Sequence, residues 1–186
     1  MSKVYVFLAE GFEEVEALTP VDLLRRAGID TQTVSIGNSL TVTGRSDITV
    51  KADLLFEEAD PDSADMLVLP GGMPGTRYLM AHKGLENALK KAAASGRYTA
   101  AICAAPSVLA AHGILNGKKA TSYPGFEEKL TEGGASPTDA EEVVTDGTVI
   151  TSRGAGTAIP FALKLIEVLK GKECAAEIGN SIIFGK

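Results

Sequence analysis

Short apolar runs alternate with longer stretches in which apolar residues recur every three or four positions. "KVYVFLA" is followed by "VEALTPVDLLRRAG" and then "DTQTVSIG". Further on come "DMLVLPGG", "LENALKKAAASG", "YTAAIC", "PSVLAAHGIL" and "KKATSYP". A continuous apolar run of four to seven residues predicts a strand buried on both faces, and the three-to-four period predicts an amphipathic helix. Their alternation predicts a mostly parallel sheet covered by helices on both sides. "LTVTG", "DITVKAD" and "EEVVTDGTVITS" read as extra strands, partly hairpins; the last carries an Asp-Gly turn between two β-branched runs. "GTAIPFALKLIEVLKG" reads as a long amphipathic helix ending at Gly171, and "SIIFGK" as a last strand or tail.

Length and composition narrow the picture. The 186 residues, with no internal repeat or low-complexity linker, predict a single domain over 1–186. Apolar residues make up 45% and charged residues 23%, the balance of a soluble globular chain. The net charge of −6 and the lack of a Lys/Arg cluster argue against nucleic acid as a partner. The apolar runs are too short to span a membrane. "MSKVYVFLAEGFEE" turns acidic after a few apolar positions, so it reads as a first strand and not as a secretion signal. Two cysteines make no disulfide framework, and a reducing, cytoplasmic setting is expected. Without CxxC or HExxH, and with His82 and His112 far along the chain from both cysteines, no metal site is expected.

In open α/β sheets, sites lie beyond the carboxyl ends of the strands. That rule selects "AEGFEEVE", "PGGMPGT", "CAAP" and "SRGAGT". Cys103 falls between the strand ending at Ile102 and a helix started by Pro106, which suits a first turn because its missing N–H is not needed there. A thiol at such a turn is a nucleophile candidate, although a free cysteine is often just a small core residue. Lowering a thiol pKa from about 8.5 by about three units requires about 4 kcal/mol, whereas a helix terminus contributes about 0.3–2 kcal/mol. Other donors must help. Gly71 and Gly72 admit backbone N–H groups close to a reacting atom, so they and the amide of Ala104 form a candidate oxyanion hole. The Gly-rich segment lacks the spacing of a nucleotide loop. Glu13, Glu14 and Glu16 crowd the first helix turns, where acids suit the dipole. On a helical wheel Phe12, Val15, Thr19 and Leu23 share a face with Glu16 at its edge, Glu13 further round and Glu14 opposite. A carboxyl at an apolar edge has a raised pKa, so Glu16 ranks first as a neutral acid beside the thiol, without excluding Glu13. Cys174, one turn before Ile178, reads as a packing residue; His82 reads as exposed, and His112 as a helix-end residue.

These pieces in this order resemble the ThiJ/PfpI (DJ-1) superfamily, and most closely its protein-deglycase branch. The resemblance rests on "AEGFEEVEALTPVDLLRRAG", "DMLVLPGGMPG", "AAICAAPSVLAAHGIL", "TSYPG" and "VITSRGAGTAIPFALKLIEVLKGKECA". It implies a flavodoxin-like three-layer α/β/α sandwich with a nucleophile elbow, usually a homodimer. The family nucleophile falls on Cys103, its protonated glutamate on Glu16, and its oxyanion-hole positions on Gly71, Gly72 and Ala104. Arg26 and Arg45 are the nearest matches to arginines placed near the pocket in some relatives. Protease-like members follow the cysteine with histidine; Ala104 stands here, which argues against peptide hydrolysis. Several relatives carry a histidine where Tyr123 stands; a phenol is a poor base at neutral pH but can hydrogen-bond a substrate. The activity implied is cofactor-independent conversion of α-oxoaldehydes such as methylglyoxal, or removal of their early adducts. The alternative is a redox sensor or redox-regulated chaperone using the same thiol.

Overall fold

A computed structural model describes residues 2–185. In chain order the elements are β1 (Lys3–Leu8), α1 (Glu14–Arg26), β2 (Asp30–Ser35), β3 (Thr41–Thr43), β4 (Thr49–Lys51), β5 (Leu54–Leu55) and β6 (Met66–Leu69). Then come α2 (Gly75–Ala81), α3 (Lys83–Ala94), β7 (Tyr98–Ile102), α4 (Pro106–Ala111), β8 (Lys119–Ala120) and α5 (Glu127–Glu132). The chain closes with β9 (Ser136–Pro137), β10 (Val143–Asp146), β11 (Val149–Ser152), α6 (Ala158–Lys170) and α7 (Lys172–Ser181).

The main sheet has seven strands in the order β10-β11-β7-β6-β1-β2-β5. All its pairings are parallel except β10 with β11, the hairpin marked by the Asp-Gly turn. Alternate strand residues feed two separate cores, because successive side chains point to opposite faces. Val4, Val6, Leu8, Met66, Val68 and Ile102 pack beneath α1 and α6, with Ala17, Leu24, Phe161 and Leu165. Tyr5, Phe7, Leu67, Leu69 and Ala101 pack beneath α2, α3 and α4, with Leu79, Leu89 and Val108. This is the flavodoxin-like three-layer sandwich, and being buried on both faces is why its strands read as unbroken apolar runs.

The departures from the sequence reading are local. "KKATSYP" supplies only the two-residue β8, which pairs with β9 outside the main sheet. "SIIFGK" adds no strand: Ser181 ends α7 and Ile182–Gly185 are turns, while Lys186 lies outside the described residues. "LTVTG" and "DITVKAD" do pair as the antiparallel hairpin β3–β4, apart from the main sheet. In α1 the wheel is displaced. Phe12 precedes the helix, which starts at Glu14; Phe12 and Leu23 are buried as expected, but the buried stripe extends over Ala17, Pro20, Val21 and Leu24. Val15, expected on the apolar face, is 48% exposed, while Glu14, expected on the opposite side, is 5% exposed.

Candidate functional site

The four segments selected beyond the strand ends converge. β1 delivers the loop into α1 and so Glu16; β6 delivers Gly71 and Gly72; β7 delivers Cys103; β11 delivers Gly154. Cys103 forms a sharp strand-to-helix elbow with φ +65°, in the left-handed region that disfavours any side chain. Neighbouring strands over-determine that conformation. Its amide donates to Ser152 O at 3.0 Å, its carbonyl accepts from Tyr123 N at 2.8 Å, and Ala105 N closes the turn onto Ile102 O at 3.1 Å. Pro106 then opens α4 at its first position.

The carboxyl of Glu16 faces the thiol. Glu16 is 1% exposed and its Oε2 accepts from Gly71 N at 2.9 Å. Gly71 makes this approach possible. A Cβ there would lie 2.6 Å from Glu16 Oε2, 2.7 Å from Cys103 Cβ and 3.1 Å from Sγ. The amides of Gly72 and Ala104 lie near enough to the sulfur to favour its thiolate. Of the three positions expected to supply oxyanion donors, Gly71 has its N–H already taken by Glu16.

Burial pushes Glu16 up to about 7; hydrogen bonds from the Cys103 thiol and the Gly71 amide and the charge of Arg45 hold it down, and Glu13 works the other way. Burial pushes the Cys103 thiol up to about 12, with the charge of ionised Glu16 and its hydrogen bond adding to the rise and the two amides opposing it. The two groups form one titrating pair. An anionic carboxylate and a thiolate cannot both persist near neutrality here, so the pair holds at least one proton.

Tyr123 is half-exposed at the rim, and a Cβ on Gly154 would lie 3.3 Å from its ring and 3.9 Å from Glu16 Oε1. Arg45, on the turn between β3 and β4, pairs with Glu13 at 3.3 Å and reaches the field of Glu16. The structure does not bring Arg26 here: it lies at the far end of α1, about 15 Å along the helix from Glu16, paired with Asp22 at 3.0 Å. Cys174 is a free thiol packed against the core on α7. His82 is not exposed in a turn; its Nδ1 caps α3 by accepting from Leu85 N at 3.0 Å, and its ring packs edge-on against Phe56. His112 is buried beside Glu86. Neither histidine approaches Cys103. Among the described residues no three His, Cys, Asp or Glu side chains converge as a metal-ligand set. A cavity of about 440 Å³ lies beyond β1 and β2, lined by Glu10, Ser35, Tyr78 and His82, and contains none of the groups around Cys103. Reactive groups, not cavity size, mark this site.

A flavodoxin-like sandwich with a cysteine at a strained elbow, opposed by a buried glutamate, defines a class. The chain belongs to the DJ-1/PfpI family, whose model matches residues 2–168. It is 40% identical over 184 residues to protein dj-1beta of Drosophila melanogaster, covering 98% of each chain. It is 36% identical over 168 residues to a deglycase of Pyrococcus abyssi, covering 90% of this chain and 99% of that one. It is 38% identical over 182 residues to DJ-1 homolog B of Arabidopsis thaliana, covering 97% of this chain and 41% of that protein, so it spans less than half of that relative. The crystal structure of the Drosophila DJ-1beta superimposes over all of both chains with TM-score 0.95 and 38% identity. The structure of oxidized Toxoplasma gondii DJ-1 does so with TM-score 0.94 and 37% identity. Among the described residues, no helix is long and apolar enough to cross a membrane.

Proposed function

We propose that the chain converts α-oxoaldehydes such as methylglyoxal to hydroxy acids without a cofactor, and acts on their early adducts with the same groups. The observation that carries this reading is the meeting of the Cys103 thiol, the Glu16 carboxyl and the Gly72 and Ala104 amides around one point. Membership in a family that includes a protein named as a deglycase supports it.

The reactive microstate is the thiolate with neutral Glu16, which removes the like charge opposing the sulfur. Cys103 Sγ attacks the aldehyde carbon, and the amides of Gly72 and Ala104 stabilise the oxyanion. Glu16 gives its proton to that oxygen, forming the hemithioacetal. The carboxylate then takes the proton from the same carbon to give an enediolate and returns it to the neighbouring carbon, while the hydroxyl proton passes from the first oxygen to the second, so that the first becomes the thioester carbonyl. The resulting thioester is cleaved by water, which releases the hydroxy acid and restores the thiol–carboxyl pair. Tyr123 at the rim hydrogen-bonds the substrate, and Arg45 draws a polar end toward Glu13 and Glu16. A homodimer would cover exposed Val15, Leu18 and Ile48. A reducing cytoplasm would keep both thiols free.

The test is methylglyoxal turnover by the native protein, Cys103→Ser and Glu16→Gln. Loss of at least a hundredfold in each is expected; undiminished turnover in either ends the mechanism. The redox-sensor reading draws support from the same half-buried thiol and from the oxidized state of the Toxoplasma relative. Mild peroxide should give a sulfinate at Cys103 and not at Cys174 under both readings. A sulfinate that switches partner binding or holdase activity, with no aldehyde turnover in the reduced protein, would favour the sensor.

A further inference from the structure

Glu14 is an acid that the chemistry above does not use. It stands at the first position of α1, where helix-dipole stabilisation would explain a solvated carboxylate. Its side chain is instead buried beneath the turn that joins β3 and β4. Glu14 Oε1 accepts from Ser46 N at 2.8 Å, while Oε2 is buried without a hydrogen-bond partner. Its own amide and those of the turn hold the carboxyl below its ordinary range against the opposing effect of burial, which is the largest single influence. Gly44 completes the fit, since any side chain there would collide with the Glu14 carboxylate.

The turn so held is short and internally tied: Gly44 N donates to Ile48 O at 3.0 Å and Asp47 N to Gly44 O at 3.2 Å. Asp47 itself sits at φ +60°, a conformation that needs support from its surroundings. Arg45 is the residue this turn carries toward the site. Its amide donates to Phe12 O at 2.8 Å, and its guanidinium pairs with Glu13 at 3.3 Å. Glu13 and Arg45 are the charged groups acting on Glu16 besides its partner Cys103.

We propose that Glu14 is a positioning residue: its buried carboxylate clamps the Gly44–Ile48 turn onto α1 and thereby holds the Arg45 guanidinium against Glu13, on the approach to Glu16. This rests on the reading of that pair as the reactive centre. A cation held near the pair makes its first proton easier to remove; a cation released into solvent does not. Arg45 is half-exposed, so solvent limits the effect to a fraction of a pH unit.

The experiment is iodoacetamide alkylation of Cys103 against pH, read by peptide mass spectrometry, in the full-length chain. Glu14→Ala should raise the midpoint by about 0.3–0.7 pH unit. Arg45→Ala should raise it equally, and the double variant should rise no further. Glu14→Gln keeps a carbonyl acceptor for Ser46 N and should recover most of the native midpoint. Amide exchange at Ser46 should accelerate at least tenfold in Glu14→Ala and stay near native in Arg45→Ala. If Glu14→Ala does not fold, Gly44→Ala displaces the same turn and should give the same rise. Faster exchange with an unmoved midpoint would overturn the proposal and make Glu14 a merely structural staple. Additive shifts in the double variant would also overturn it. If Glu16→Gln alkylates with the native midpoint, the reactive-centre reading itself fails, and this proposal falls with it.

Discussion

Replacing Glu16 by Gln should abolish a loss of stability that the native protein suffers as pH rises from 4.5 toward 7. The carboxyl titrates near 4.5 when exposed and at about 7 in the folded protein, because burial outweighs the Gly71 amide, the thiol and Arg45. A folded-state pKa raised above the unfolded value means that the folded protein holds a proton the unfolded chain has released. The stabilisation is complete below pH 4.5 and is lost as pH rises toward 7. The interval of about 2.5 pH units corresponds to about 3 kcal/mol. No discount for solvent screening applies, since Glu16 is 1% exposed. The sign holds whether the departing proton comes from the carboxyl or the thiol, because one proton leaves the pair either way. Gln has nearly the same shape and no proton to lose. The assay is urea unfolding of both proteins between pH 4 and 8 under two-state conditions. Relative to the native protein, Glu16→Gln should gain about 3 kcal/mol across that range, or roughly 6–12 °C in Tm. A stability gap that stays constant with pH would refute the reasoning, because it would mean that the carboxyl ionises as freely in the fold as in the unfolded chain.

Gly71→Ala should destabilise by about 1–3 kcal/mol, since the added methyl must push apart Glu16 and Cys103; a thermal melt coincident with the native protein would show that the two do not approach so closely. Both Cys103→Gly and Cys103→Ala remove the thiol, but only glycine accepts φ +65° without strain. Cys103→Gly should therefore be the more stable by about 1 kcal/mol in urea melts, and the reverse order would deny that the elbow is strained.

How much of this was legible depends on whether a feature is local. Strands buried on both faces advertise themselves as unbroken apolar runs, so β1, β6 and β7 were readable, as was the Asp-Gly hairpin of β10 and β11. Cys103 was readable because Pro106 fixes the helix start just beyond it. The two-residue β8 was not, since it is held by one short pairing and not by its own pattern. His82 caps α3 with a ring nitrogen, a role that cap rules based on Ser, Thr, Asp and Asn do not anticipate. Sequence order alone left Gly71 among the oxyanion donors, because the partner that claims its amide lies 55 residues earlier in the chain.

The three glutamates at the start of α1 show most clearly why the remainder was hidden. A helical wheel sorts residues by one buried face, yet α1 is covered on two. The sheet and α6 bury Ala17, Val21 and Leu24, while the β3–β4 turn, 32 residues further on, closes over Glu14. Glu13 is left to pair with Arg45 on that same turn. Three neighbouring acids thus acquire three electrostatic states: Glu14 is pinned anionic by amides, Glu16 is pushed toward neutrality by burial, and Glu13 is paired at the rim. Nothing in their side chains separates them. What separates them is the donor each meets, and those donors sit on turns shaped by Gly44 and Gly71, glycines that leave room for a carboxylate where any other residue would fill it.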